Sequence, residues 1–88
     1  MLDDKNYKII TDKVIEVGGE FLNDENERLL GFFVFSIRNR EIAAKSEGGG
    51  NSWKLSLKQP NGLMRTVTIL AGTDQLLLRI GHYAQVHN

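Results

Sequence analysis

Apolar side chains are most concentrated between Leu29 and Phe35, where seven consecutive residues (Leu-Leu-Gly-Phe-Phe-Val-Phe) carry no polar group. Read as a strand, the run sends Phe33, Phe35 and Ile37 to one side and Leu30, Phe32 and Val34 to the other. A strand in a half-exposed sheet alternates apolar with polar residues, so this one requires cover on both faces. In a chain of 88 residues, a second copy is one source of that cover.

Around this strand the pattern changes period. Tyr7, Ile10, Val14 and Val17 recur at the spacing of one helical face, with Asp3 and Asp4 at the positive end of the dipole and Gly18-Gly19 as a stop. This predicts a helix over residues 4–17, although Ile9 and Ile15 fall off the stripe. Glu20 to Leu22 begins a short strand, and the polar cluster 23–27 reads as a turn into the hydrophobic strand, 28–38. Residues 38–45 fit either a short helix capped by Asn39 or a strand turning back on the preceding one. Gly48-Gly49-Gly50 is a flexible connector, too short to separate domains.

Residues 53–70 carry the clearest local signal. Trp53, Leu55 and Leu57 alternate with Lys54, Ser56 and Lys58, and Gln59-Pro60-Asn61-Gly62 supplies a hairpin turn. The expected register pairs Leu57 with Arg65, Leu55 with Val67 and Trp53 with Ile69, which gathers the apolar residues on one face. Residues 73–87 read as a C-terminal helix, since Leu76, Leu77, Ile80, Tyr83 and Ala84 cluster on one side. Leu76, Leu78 and Ile80 alternate well enough to keep a strand as the rival. Together these elements predict a single α+β domain: a small, mostly antiparallel sheet of three or four strands with an N-terminal and a C-terminal helix.

Composition narrows the function classes. Eleven basic and eleven acidic side chains cancel, so the basic excess of a dedicated DNA-binding domain is missing. The absence of cysteine excludes a disulfide framework, a thiolate zinc site and a cysteine nucleophile. Met1-Leu2-Asp3-Asp4-Lys5 does not read as a signal peptide, and the longest apolar run falls far short of a membrane span. A cytoplasmic protein of bacterial, phage or mobile-element type is the simplest setting.

Candidate chemistry is sparse. His82 and His87 are five apart and would not share a helical face around one metal. The triple glycine matches no phosphate-binding fingerprint, and a strand follows it. Lys54 and Lys58 with the facing threonines make a slightly basic sheet face, but Trp53 points away from it, against single-strand recognition. Arg65 falls among apolar residues and invites a carboxylate partner or an anionic ligand. No nucleophile or metal motif is present, and no cofactor is implied.

The leading expectation is therefore a non-enzymatic accessory or interaction protein acting as a homodimer, with Leu30, Phe32 and Val34 at the contact and Trp53 or Tyr83 as aromatic anchors. The alternative is a small-molecule-binding protein or small enzyme. Its apolar pocket would lie between sheet and helix, lined by Phe33, Phe35, Trp53 and Tyr83, with Arg65 or His82 orienting a polar group. Nucleic-acid binding ranks third.

Overall fold

The computed structural model describes residues 1–85. Helix α1 (Asp4–Glu16) leads into β1 (Glu20–Phe21), a short helix α2 (Glu25–Leu29), and strands β2 (Phe32–Ile37) and β3 (Arg40–Glu47). A 3-10 turn at Gly48–Gly50 precedes β4 (Ser52–Lys58) and β5 (Met64–Ala71), and α3 (Thr73–Gln85) closes the described chain. The five strands form one antiparallel sheet in the order β1-β2-β3-β4-β5, each paired with its neighbours in sequence. The fold class is α+β, as the sequence pattern predicts, with a sheet slightly larger than the expected three or four strands.

Both long helices pack on the same face of this sheet. The cross-strand pairs Phe33–Ala44, Phe35–Ile42 and Ala44–Leu55 put those side chains on one side, together with Trp53 opposite Leu70. They share one core with Ile10 and Val14 of α1 and with Leu76, Ile80 and Tyr83 of α3. Phe33 sits at its centre, with ring centroids 5.9 Å from Tyr7, 6.2 Å from Phe21 and 5.8 Å from Trp53. Trp53 is fully buried, and its indole N–H donates to the Thr73 hydroxyl at 3.3 Å, tying β4 to the first turn of α3. The expected α1 stripe is borne out: Ile10 and Val14 are buried, while Ile15 is exposed.

Three local readings need correction, and one open alternative is decided. The polar cluster 23–27 is not a simple turn: Asp24 caps α2 by accepting from the Glu27 N–H at 2.8 Å. The hydrophobic strand consequently starts at Phe32 rather than residue 28, after Gly31 turns the chain at φ +97°. Residues 40–47 resolve as strand β3, joined to β2 by a two-residue turn in which Arg38 and Asn39 both take positive φ, 51° and 66°. In the β4–β5 hairpin, Leu57 opposes Arg65 as expected, but Leu55 opposes Thr68 and Trp53 opposes Leu70. A bulge at Val67 shifts the register by one residue. Leu70 thereby enters the core while Ile69, expected there, stands 67% exposed on the opposite side.

The predicted C-terminal helix is present as α3 through Gln85; residues 86–88, with His87, lie outside the described residues. Gly81 interrupts the helical propensity of α3, yet a Cβ built there would meet only Lys13 Cε and Nζ, at 3.5 and 3.6 Å. That is ordinary contact at a helical φ. Replacing Gly81 by alanine is therefore expected to stabilise the fold by roughly 0.5–1 kcal/mol. Thermal unfolding followed by circular dichroism should rise by several degrees, and a fall would show that α1 and α3 cannot give way there.

Candidate functional site

With α1 and α3 on one face, the other face of the sheet is left uncovered among the described residues. It carries the second side of β2. Phe32 and Val34 are half-buried there, and their cross-strand partners are Lys45 and Ala43. The β3–β4 pairs continue it with Lys45 opposite Lys54 and Ala43 opposite Ser56, and β5 adds Met64 and Ile69, 42% and 67% exposed. Leu22 extends the face beyond β1: its N–H donates to the Val34 carbonyl at 2.7 Å, and its side chain is 49% exposed.

Charge on this face is balanced and segregated. By strand alternation Glu20, Glu41 and Glu47 share it with Lys45, Lys54 and Lys58. Glu41 and Lys58 lie 3.6 Å apart at one end. Lys45 and Lys54 stand directly opposite each other in the middle, both exposed, and neither has an ion-pair partner among the described residues. Like charges placed this way cost stability in the isolated sheet. An open depression of about 180 Å³ lies between Phe32, Ala43, Lys45, Lys54, Ser56 and Met64. That is below the size of ordinary small-molecule pockets. The face is a shallow surface rather than a container.

The expected dimer residues divide accordingly. Phe32 and Val34 fall on the uncovered face, whereas Leu30 is the C-cap of α2, outside the strand and 70% exposed. Trp53 and Tyr83 are core residues, so neither is available as an intermolecular anchor.

The four candidate ligand residues are not brought together. Trp53 is buried at the β4–α3 junction, and Arg65 is exposed on β5 opposite Leu57. Tyr83 is 8% exposed and lies under the Arg40 guanidinium, 5.6 Å from the ring centroid. His82 is exposed on α3, beside a surface groove that also involves Lys13, Asp74 and Leu78. Phe33, Phe35 and Trp53 fill the layer between sheet and helices with one another instead of lining an opening.

Two arginines donate to main-chain carbonyls. Arg38 Nε donates to the Ala84 carbonyl at 2.7 Å, capping the end of α3. Arg28 stacks over Phe21, 4.4 Å from the ring centroid, and donates to the Asn23 carbonyl. Sequence reasoning missed Asn23 itself. Its side-chain amide donates to the Phe32 carbonyl at 2.8 Å and accepts from the Val34 N–H at 3.1 Å, so it prolongs the β1–β2 ladder beyond the two residues of β1. An asparagine in a turn cluster is ordinary, and only the register shows what its amide reaches.

Among the described residues no helix is long and apolar enough to cross a membrane. Compared with known protein families, characterised proteins and solved structures, the chain matches none.

Proposed function

We propose that this is a non-enzymatic interaction protein that acts as a homodimer through its uncovered sheet face. The carrying observation is the position of α1 and α3 on one side of the sheet, which leaves Phe32 and Val34 only partly buried and the neighbouring Leu22 exposed. Burying such side chains is the main favourable term in association. The charge pattern supports a second copy as the cover. Three carboxylates and three ammonium groups occupy the same face, so two copies bring together a neutral surface with complementary charges. Lys45 and Lys54, which only repel each other within one chain, gain access to the partner's carboxylates. Face-to-face sheets pack about 10 Å apart, a spacing that side chains of the size of Phe32 and Met64 fill.

Light scattering on a size-exclusion column across a dilution series tests the reading. A mass of two chains that falls to one at low concentration is the expected result. A single-chain mass at all concentrations would remove it.

A further inference from the structure

The two edges of the sheet are treated very differently. On the β1 side the edge is two residues long, and the Asn23 amide continues the ladder along β2. On the other side β5 runs for eight residues with no proline, paired with β4 on its inner side and with no strand on its outer side among the described residues. Along or beside it Leu63, Met64, Val67 and Ile69 are 67%, 42%, 43% and 67% exposed. Sheets ordinarily protect such an edge with charges, proline or short length, because its outward N–H and C=O groups template another strand. Here the protection is one arginine and one bulge.

We propose that the β5 edge is a strand-addition site for an extended segment of a partner protein in which acidic and apolar residues alternate. Charge selects this occupant. Residues 48–73 contain Lys54, Lys58 and Arg65 and no aspartate or glutamate, and with Lys58 paired to Glu41 of β3, Lys54 and Arg65 are left without an ion-pair partner among the described residues. A second β5 would bring the same positive charge to the edge, whereas an acidic strand neutralises it. The alternation follows from the register. Arg65 opposes Leu57 on the helix side, and Met64 opposes Lys58 on the uncovered side. An added strand with a carboxylate beside Arg65 therefore presents its next residues beside Met64 and Thr66, where apolar side chains are favoured. Main-chain hydrogen bonds supply affinity and alternate side chains supply selectivity, as in other strand additions. A nucleic acid fits less well, because Trp53 is buried and β5 offers no aromatic ring for base stacking.

The test uses two synthetic peptides of equal length, a Glu-Val repeat and a Lys-Val repeat, titrated into isotopically labelled protein. The Glu-Val peptide is expected to shift and protect the β5 amides, with binding that weakens as salt rises, and the Lys-Val peptide to leave them unchanged. Arg65→Glu, an exposed substitution, should weaken the Glu-Val peptide by about tenfold or more and admit the Lys-Val peptide. The proposal is overturned if neither peptide binds β5, if both bind equally, or if an oligothymidylate competes more strongly than the Glu-Val peptide. It is also overturned if Val67→Lys lowers the mass of the free protein, since that outcome would make a second β5 the occupant. Strand addition uses the edge and dimerisation uses the face, so Val34→Lys should alter the mass while leaving the peptide response intact.

Discussion

Replacing Trp53 by alanine is expected to cost about 3–5 kcal/mol, the range for deleting a large buried aromatic side chain. In a domain of this size that corresponds to a fall of roughly 15 °C or more in Tm, and it takes up a large share of the total stability of a small fold. Two effects combine. The indole is fully buried against Phe33, so its removal leaves a cavity where the sheet meets α3. The Thr73 hydroxyl, itself nearly buried, also loses its partner. Trp53→Phe is the milder variant, because it keeps one aromatic ring while removing the N–H donor and the rest of the indole. It should lose less than Trp53→Ala, about 2 kcal/mol. Thermal and urea unfolding followed by far-ultraviolet circular dichroism measure both variants, since the only tryptophan is the residue removed. A Trp53→Ala protein within a few degrees of wild type would mean that the helix layer does not close over β4.

Val34→Lys is expected to abolish the proposed homodimer without unfolding the monomer. Val34 is only half-buried within one chain, and a lysine at that position can carry its ammonium group to solvent along the uncovered face. In the proposed dimer the same position would be covered by the second copy, and the substitution would place an added cation on each copy beside the existing Lys45–Lys54 pair. Burying an unpaired charge costs several kcal/mol, enough to move a micromolar dimer beyond the concentrations of an ordinary scattering experiment. Phe32→Ala provides a milder version. A loss of about 2 kcal/mol, or roughly 30-fold in Kd, is expected if the ring is a central contact. Light scattering reads the mass of both variants, and unchanged circular dichroism and Tm show that the monomer fold survives. A dimer that persists in both variants places the contact on another surface.

The two predictions act on opposite faces of one sheet, which is why they separate stability from assembly. Trp53 looks towards the helices; Val34, in the middle of β2, looks away from them. The same separation explains how far the sequence was legible. Helix α1 was readable from its periodic stripe and the aspartates at the positive end of its dipole, because both signals are local; the structure adds that Asp3 caps it, accepting from the Asn6 N–H at 2.8 Å. The two-sided character of β2 was readable because strand geometry leaves no freedom in which way successive side chains point. The β2–β3 turn was readable only as one of two alternatives. Arg38-Asn39 has no glycine, and its left-handed backbone is held by long-range contacts that include the Arg38 bond to Ala84. The bulge at Val67 was hidden for a related reason. Both registers bring apolar residues inward, and the choice of Leu70 over Ile69 depends on what α3 packs against.

For the candidate site the balance is similar. The chain itself determined that one strand is apolar on both faces, that Phe32 and Val34 belong to its second face, and that cysteine chemistry is absent. These follow from side-chain alternation and composition, which need no knowledge of distant residues. Only the tertiary structure decided that both helices share one face, that Trp53 and Tyr83 are spent on the core, and that Arg65 stands exposed on a free edge. Those outcomes rest on how separate elements dock, and docking is set by the summed burial of many side chains rather than by any local pattern.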